Sequence, residues 1–482
     1  MMCVIFSQTN RLIMHNTETT STNPLSFSRL PLKDALLTNI ESLGYKNMTA
    51  IQEKSLPMML HGHDIIAKAN TGSGKTAAFG LCVLNHIETK LFVVQALVLC
   101  PTRELAEQTS QAMRQLARQM PNIKIINLSG GIPMKPQLDS LKHGAHIIVG
   151  TPGRIQKHLD KESIQLDKLT QLVLDEADRM LDMGFSDAIQ AILKFCPKQR
   201  QTLLFSATYP SEIKAISCEF MKNPIEIMLD HEPTKPDIKQ ICYEVTESNR
   251  FSVLIALLKE YPSPSTLIFC NTKQLTTDVA NQLKQNGFSA IALNGDMEQI
   301  DRDLTIIQFT NQSCTILVAT DVAARGLDIK DCSLVINYDL AYEPDTHTHR
   351  IGRTGRAGNK GMAINLTKPS DAHRICAIED AQGSPIILED LTQLTKSNAT
   401  PIPPIMTTVC LDAGKKDKIR AGDILGALTK DLGLTKEMIG KIDILPMKSY
   451  VAIHTQQITR TLNYFQKGKL KGQKINARKI TV

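Results

Sequence analysis

The sequence of 482 residues predicts two tandem α/β domains with parallel sheets, followed by a third, small α/β domain. Up to about residue 395, short apolar runs alternate with longer amphipathic stretches, which is the pattern of strands that alternate with helices. Near the end of the chain, shorter segments follow the order βαββαβ. An apolar fraction of 42% supplies enough side chains for several cores.

Polar and proline-rich stretches divide the chain. Residues 1–23 predict a disordered leader, in which Met14 is the expected natural start. The runs DHEPTKPDIK and KSNATPIPP predict linkers over 231–239 and 396–404. The domains expected between them are 24–230 (the first domain), 240–395 (the second domain) and 405–482 (the tail domain).

Composition excludes several classes of protein. No apolar stretch approaches the roughly 20 residues needed to span a bilayer, and the first residues lack the basic start and cleavage site of a secretory signal. The 11 cysteines are scattered without a CxxC pair, which predicts buried thiols and neither a zinc knuckle nor a disulfide framework. We therefore expect a cytoplasmic protein that does not enter a membrane.

The net charge of +7 is concentrated at the end of the chain. Residues 405–482 contain 15 Lys and Arg against 6 Asp and Glu, whereas the rest of the chain is close to neutral. A compact basic domain behind a neutral body favours a polyanionic partner for that domain. A solvated basic face that only improves solubility is the alternative.

Many of the predicted strands end in a cluster of small or charged residues. The clusters are ANTGSGKT, CPTRELA, GTPGR, DEAD and SAT in the first domain, and CNT and ATDVAARGLD in the second. Ligands of open parallel sheets bind beyond the carboxyl ends of the strands, so the clusters lie where this architecture places its chemistry. The predicted strands are 65–67, 97–99, 147–149, 172–174, 203–205, 267–269, 316–318 and 334–336.

The run TGSGKT has the composition of a phosphate-binding loop between a strand and a helix. Its glycines let backbone N–H groups turn toward phosphate oxygens, and the next helix adds a favourable dipole. Lys75 is expected to reach the β- and γ-phosphates and Thr76 to bind Mg²⁺. A glycine-rich turn without a ligand is the alternative. This phosphate loop consists of Thr71, Gly72, Ser73, Gly74, Lys75 and Thr76.

Two further runs suggest hydrolysis of a nucleotide. In DEAD, Asp175 is expected to hold Mg²⁺, partly through water, and Glu176 to orient or deprotonate the attacking water. An acidic helix cap is the alternative for such a pair alone. In HRIGRTGR, Arg353 and Arg356 are expected to stabilise the charge on the transferring phosphoryl group, unless the cluster is only a solvated or nucleic-acid-facing surface. Hydrolysis would then require the two domains to close.

These runs, together with PTRELA, GG, TPGR and the segment around Arg302, resemble in their order the motifs of the DEAD-box RNA helicases, over nearly all of the first two domains. The resemblance implies two RecA-like domains, ATP and Mg²⁺ as cofactors, and unwinding of short RNA duplexes. It also implies adenine recognition by Gln52, since a side-chain amide can both donate to and accept from adenine. Phe27 and Tyr45 would pack nearby.

The same resemblance assigns the remaining site residues. Ser206 and Thr208 would couple the carboxylates, including Asp178, to His349. Gly326 and Asp328 would belong to the nucleotide site. The RNA path would contain small residues and a few arginines, which suits contacts to phosphate and 2′-hydroxyl groups rather than to bases. Its expected members are Pro101, Thr102, Arg103, Gly131, Thr151, Gly153, Arg154, Arg302 and Thr320.

The tail domain has the predicted order of an RRM-like fold. Tyr450 either stacks on a base or is an edge-of-core tyrosine. The runs GKKDKIRAGDILGALT and KGKLKGQKINARK resemble the C-terminal domain of one bacterial DEAD-box subfamily, which implies binding to a hairpin of large-subunit ribosomal RNA. The lysines expected to contact RNA phosphates are Lys415, Lys416, Lys469 and Lys471.

These features predict an ATP-dependent RNA helicase that acts on precursor ribosomal particles in large-subunit assembly, with no stable protein partner. An ATP-gated RNA clamp, or an RNP-remodelling binding protein without productive unwinding, is the alternative. A duplex DNA translocase is a third hypothesis, which the low net charge of the first two domains disfavours.

Overall fold

The computed structural model describes residues 26–69, 72–206, 220–228, 237–324, 329, 332–355, 360–394 and 399–481. In this part the chain forms two seven-stranded parallel sheets and one four-stranded antiparallel sheet. This architecture confirms the predicted fold class. The predictions for the leader 1–23 with Met14, and for residues 231–236 and 396–398 of the linkers, lie outside the described residues. So do the site predictions for Thr71, Thr208, Gly326, Asp328 and Arg356.

The first sheet has the strand order β3-β4-β2-β5-β6-β1-β7. Its central strands are buried along their whole length, because helices cover both faces of the sheet. The five predicted strands are present, and β3 and β7 at the edges were not predicted. The strands are β1 (Ile65–Lys68), β2 (Ala96–Leu99), β3 (Ile125–Leu128), β4 (Ile147–Gly150), β5 (Gln171–Asp175), β6 (Gln201–Ser206) and β7 (Ile225–Met228).

Helices of two kinds accompany this sheet. The α-helices are Asp34–Ser42, Ala50–Leu60, Lys75–His86, Arg103–Leu116, Met134–Leu141, Pro152–Asp160, Ala177–Asp182 and Ser186–Leu193, and a 3₁₀ turn spans Phe27–Arg29. The helix Arg103–Leu116 begins where Thr102 accepts a hydrogen bond from the backbone N–H of Leu105 at 3.2 Å. This cap fixes the direction in which the chain leaves β2.

The second sheet repeats the architecture with the order β10-β11-β9-β12-β13-β8-β14. Its strands are β8 (Ile238–Glu244), β9 (Thr266–Phe269), β10 (Ala290–Leu293), β11 (Ile316–Ala319), β12 (Leu334–Asn337), β13 (Gly361–Thr367) and β14 (Ile387–Glu389). Its helices are Arg250–Glu260, Lys273–Gln285, Gln299–Thr310, Asp321–Ala324, Pro344–Ile351 and Ala372–Gln382, with 3₁₀ turns at Pro369–Asp371 and Leu391–Gln393.

The first linker ends earlier than the sequence predicted. The interval 231–239 was expected to connect the domains, but Ile238 and Lys239 belong to β8 and pair with Gly361 and Met362 of β13. The polar composition of the segment concealed this strand, because the first three residues of β8 are only half-buried or exposed and do not form an apolar run.

The tail domain has the predicted βαββαβ order, with the strand order β16-β17-β15-β18. Its strands are β15 (Met406–Leu411), β16 (Ile439–Ile444), β17 (Ser449–His454) and β18 (Ala477–Lys479). Its helices are Ala421–Gly426, which continues as a π-helix over Ala427–Asp431, and Ile458–Lys467, with 3₁₀ turns at Lys415–Asp417, Lys436–Met438 and Thr455–Gln457. One sheet face packs on these helices through Val409, Leu411, Val451 and Ile453.

The opposite face of the tail sheet packs against the second domain. Tyr450 and Cys410 form one buried cluster with Ile307 of the helix Gln299–Thr310. Beside this cluster, the Thr408 hydroxyl lies 2.6 Å from the Ser313 hydroxyl and accepts from the Asn311 amide at 3.3 Å. The tail domain is therefore packed against the second domain and not only joined to it by a linker.

Two predictions from composition can be compared with the structure. Eight of the nine described cysteines are buried, and Cys376 is exposed. Among the residues that the structure describes, no helix combines the length and the apolar character that a membrane crossing requires.

A buried arginine organises the second domain. Arg350, which is 1% exposed, donates to both carboxylate oxygens of Asp321 at 2.7 and 2.6 Å. It also donates to the Asn337 side chain, to the Asn271 side chain and to the Asp339 carbonyl. A buried guanidinium is tolerated only when its donors are satisfied, and here five bonds join the helix Pro344–Ile351 to the ends of β9 and β12 and to Asp321.

We expect Arg350→Met to lower the free energy of unfolding of the second domain by about 3 kcal/mol, because it leaves the Asp321 carboxylate without its bidentate partner. Urea denaturation of the full chain, monitored by hydrogen exchange, measures the free energy of unfolding of the second domain. Arg374→Met is the matched control, since the Arg374–Asp371 pair is more exposed and a partly exposed pair contributes less than about 1 kcal/mol. Equal losses for both variants would contradict the role given to Arg350.

Candidate nucleotide and RNA sites

A cavity of about 250 Å³ lies between the first and second domains, beyond the carboxyl end of β5. The first domain supplies the phosphate loop and two carboxylates, and the second domain supplies Arg353. The structure therefore brings residues from distant sequence motifs to one cleft. The predicted site residues that line it are Tyr45, Gly72, Gly74, Lys75, Thr76, Asp175, Glu176 and Arg353.

The described part of the phosphate loop is tightly packed. Gly74 has φ +95°, and a Cβ atom there would lie 2.6 Å from the Gln52 amide nitrogen, so only glycine fits. The Lys75 side chain is 6% exposed, and its ammonium group donates to the Ala69 carbonyl at 2.6 Å. The ammonium group thus lies inside the loop, on the side that faces Asp175.

Gln52, which is predicted to recognise adenine, is hydrogen-bonded to the phosphate loop. Gln52 accepts from the backbone N–H of Thr49 at 2.9 Å and donates to the Gly74 carbonyl at 3.1 Å. The rings of Phe27 and Tyr45 are 6.4 Å apart. Phe27 is buried, whereas Tyr45 is 45% exposed and lines the cavity. Tyr45 therefore offers an aromatic surface at the rim of the cleft.

The carboxylates of DEAD are buried at the end of β5. Burial raises the pKa of Asp175 to about 7, opposed by the Lys75 ammonium group and reinforced by the Glu176 carboxylate. Asp175 and the Thr76 hydroxyl line the same cavity and are hard oxygen ligands of the kind that Mg²⁺ prefers. A divalent cation would also relieve the cost of keeping Asp175 ionised.

Glu176 is held in an uncommon backbone conformation. Its φ and ψ are both 54°, which is the left-handed region that residues with a side chain seldom adopt. One carboxylate oxygen lies 3.1 Å from the Nη1 of Arg179, and both side chains are almost completely buried. Sequence reasoning missed Arg179. The signal was its position three residues after Glu176, a spacing at which the two side chains can meet across the first turn of a helix.

The elements predicted to couple the two domains lie close together. The backbone N–H of Asp178 donates to the Ser206 hydroxyl at 3.3 Å. Burial, followed by the negative charge of Asp178, raises the pKa of Asp345 in the second domain. Asp345 and the half-buried His349 share the helix Pro344–Ile351. The helix that carries His349 thus faces the DEAD carboxylates.

Two polar contacts join the domains along the predicted RNA path. Arg103 donates to the Gln299 side chain at 2.7 Å, and Arg302 donates to the Glu104 carboxylate at 2.7 Å. Arg302 also donates to the Ala323 carbonyl at 2.9 Å. Sequence reasoning missed Glu104 and Gln299, although both belong to runs that it quoted. These two contacts place Arg103 and Arg302, which are both predicted to bind RNA, at the junction of the domains.

The other residues of the predicted RNA path differ in exposure. Pro101, Thr102, Thr151 and Thr320 are buried, and Thr102 also caps a helix, so their hydroxyl and ring atoms are largely covered in this arrangement. The surroundings of Gly153 are open. The more exposed members therefore offer backbone and guanidinium groups. They are Arg103, Gly131, Gly153 and Arg154.

The tail domain requires one correction. Tyr450 is 6% exposed and packs against Ile307, so its ring is covered here and the base-stacking alternative is wrong for this arrangement. Burial raises the pKa of the Tyr450 hydroxyl to about 12. The edge-of-core alternative was closer, but the sequence did not show that the ring packs against another domain.

The basic turns of the tail domain are better placed for RNA. Lys415 and Lys416 lie exposed in a 3₁₀ turn, and Lys469 is exposed in a second loop. Lys471 ties the two loops together, because its ammonium group donates to the Lys418 carbonyl at 2.9 Å and lies 3.1 Å from the Asp423 carboxylate. Lys471 therefore has an internal structural role whether or not it contacts RNA.

Comparison with protein families accounts for most of the chain. Residues 49–216 match the DEAD/DEAH box helicase family, residues 249–358 match the helicase conserved C-terminal domain, and residues 408–479 match the DbpA RNA binding domain. Among solved structures, the chain is similar to Dbp5 of S. cerevisiae bound to RNA and ADP BeF3. The TM-score is 0.69 and the identity 33%, over 76% of this chain and 95% of that one.

Similarity to whole proteins is equally extensive. The chain is 49% identical to the ATP-dependent RNA helicase DbpA of Escherichia coli strain K12, over 93% of this chain and 97% of that protein. It is 37% identical to DbpA of Bacillus subtilis strain 168, over 94% and 99% of the two chains. With a nucleotide cleft between two RecA-like domains and a DbpA-type RNA-binding domain behind them, the chain belongs to the DEAD-box ATP-dependent RNA helicases, in the DbpA subfamily.

Proposed function

We propose that this RNA helicase uses Mg²⁺ with ATP, is targeted by its tail domain to a hairpin of large-subunit ribosomal RNA, and opens short duplexes during assembly of that subunit. The observation that carries the enzymatic part is the cavity that joins Lys75, Glu176 and Arg353 across two domains. We propose the domain division 24–230, 240–395 and 405–482, with the second domain extended to include the start of β8.

In the proposed reaction, each domain supplies a different part of the chemistry. Lys75 would leave the Ala69 carbonyl for the triphosphate, a stronger hydrogen-bond acceptor. Glu176 would orient the attacking water, while Arg353 would stabilise the charge that develops on the γ-phosphoryl group. Mg²⁺, held by Thr76 and Asp175, would neutralise phosphate charge. Because Arg353 comes from the second domain, hydrolysis depends on closure.

RNA binding would use the same closure. Arg103 and Arg302 each bond across the junction of the domains, so a strand that contacts both domains stabilises the closed state. Guanidinium and backbone groups along this path suit phosphate contacts, which predicts weak sequence preference in the helicase body. A strand held along both domains would bend and separate from its partner.

The tail domain would determine which RNA the protein binds. Its sheet face is occupied by the second domain, so we propose that the exposed basic turns with Lys416 and Lys469 contact the RNA hairpin. The tail domain packs against the second domain, and a bound hairpin would therefore lie at a fixed distance from the cleft. This raises the local concentration of neighbouring duplexes. The similarity to proteins named DbpA supports this proposal.

The proposal is tested by unwinding of a duplex attached to a ribosomal RNA hairpin, together with ATP turnover at multiple cycles. We expect RNA-stimulated turnover and strand separation, and a lower rate when the hairpin is replaced by an unrelated one of equal length. A single slow turnover without strand separation would favour an ATP-gated clamp. Stimulation by duplex DNA would favour a translocase.

We expect Glu176→Gln to retain binding of ATP and RNA but to lower kcat by at least a hundredfold, because the amide cannot accept the proton of the attacking water. Single-turnover hydrolysis and equilibrium binding of a fluorescent ATP analogue separate the two effects. Lys75→Ala is the comparison, because it should also abolish hydrolysis but should weaken binding of the triphosphate. A normal kcat in either variant would contradict its assigned role.

We expect the double variant Lys416→Ala/Lys469→Ala to weaken binding of the hairpin and to reduce the slope of log K against log salt by about 1 for each lysine that contacts a phosphate. Lys430→Ala/Lys436→Ala, also on exposed positions of the tail domain, is the charge-matched control. Titrations of the full chain at several salt concentrations measure the slope. If both double variants change the slope of log K against log salt equally, the proposed RNA-binding surface is wrong.

A further inference from the structure

The GG turn of the first domain lies between two arginines. Gly131 has φ +80°, and a Cβ atom there would collide with the guanidinium of Arg103. On the other side, Arg154 donates to the Ile132 carbonyl at 3.0 Å. Burial and then the charge of Arg103 lower the pKa of Arg154, so the two guanidinium groups repel one another. The turn therefore depends on a group that holds Arg154 in place.

Gln137 supplies that group from inside the domain. Its side chain is 3% exposed, and its amide oxygen accepts from Arg154 Nη1 at 2.7 Å. The same oxygen lies 3.0 Å from His158 Nε2, which donates to it in the tautomer with the proton on that nitrogen. The Gln137 amide nitrogen donates to the Ser129 carbonyl at 2.9 Å.

These bonds join three segments at one amide. Ser129 follows β3 and precedes the GG turn, Gln137 belongs to the helix Met134–Leu141, and Arg154 and His158 belong to the helix Pro152–Asp160. The GG and TPGR runs are thus connected through a side chain that lies in neither of them. Since Gln137 is buried, it has no access to RNA itself.

We propose that Gln137 is a positioning residue for RNA binding, which holds Arg154 and the GG turn in the geometry that a nucleic-acid backbone requires. The inference rests on the proposed function, in which Arg154 contacts RNA. Without the amide oxygen, Arg154 keeps the Ile132 carbonyl but loses its charge-assisted bond on the opposite side. Repulsion from Arg103 would then move the guanidinium out of register with the phosphates.

A double-mutant cycle tests the inference. We would measure the Kd of a single-stranded oligouridylate for the full chain, with a non-hydrolysable ATP analogue present, by fluorescence anisotropy. Loss of a hydrogen bond to a charged group corresponds to roughly ten- to hundredfold in affinity, so Gln137→Met and Arg154→Ala should each raise the Kd within that range. If Gln137 acts through Arg154, the double variant should bind no more weakly than Arg154→Ala alone.

The control is Gln171→Met, which removes an equally buried amide of the same domain. Gln171 is 2% exposed, and its amide donates to Gln201 at 2.8 Å at the amino-terminal ends of the central strands β5 and β6. It should lower Tm without changing the Kd for RNA. The affinity for ATP, measured without RNA, should be the same for Gln137→Met, Gln171→Met and the unchanged protein.

The outcomes separate the inference from the proposed function. An unchanged Kd for Arg154→Ala would show that Arg154 is not in the RNA path. The proposed RNA path and the positioning role of Gln137 would then both be wrong. A raised Kd for Arg154→Ala with an unchanged Kd for Gln137→Met would overturn only the positioning role. Additive effects in the double variant would also overturn it, because Gln137 would then act independently of Arg154.

Discussion

The pairing of Arg302 with Glu104 is the interaction on which the arrangement of this helicase depends. It joins the helix Gln299–Thr310 of the second domain to the helix Arg103–Leu116 of the first, at a junction where Arg103 and Gln299 form a second contact. A charge pair of this kind is favourable only when its geometry is good and the domains stay together. The position of Arg353 at the cavity therefore depends on these contacts between the domains as well as on the residues that line the cavity.

The nucleotide site shows how burial and charge are balanced. Asp175, Glu176 and Asp178 are buried within one turn of the chain, and their mutual repulsion is offset by Lys75 and Arg179. The strained backbone of Glu176 indicates that the surrounding structure determines its position more strongly than local preference does. Such a site is arranged before substrate arrives, which lowers the reorganisation needed during the reaction.

The sequence was most informative where chemistry follows a strand. The strands that precede the phosphate loop and DEAD were predicted because they are buried on both faces and read as continuous apolar runs. Edge strands such as β7 and β14 were missed, because their exposed positions interrupt that pattern. The Tyr450 environment and the Arg302–Glu104 pair could not be predicted, because each depends on how two separately folded domains meet.

The helix Gln299–Thr310 has a further consequence for modular exchange of RNA-binding domains. Its beginning contacts the first domain, while Ile307, on a later turn, packs against Tyr450 of the tail domain. A chimaera that grafts this tail onto an unrelated helicase would therefore carry only half of an interface. The transplanted module would remain tethered by its linker without a fixed orientation, unless the outward side of that helix were transferred with it.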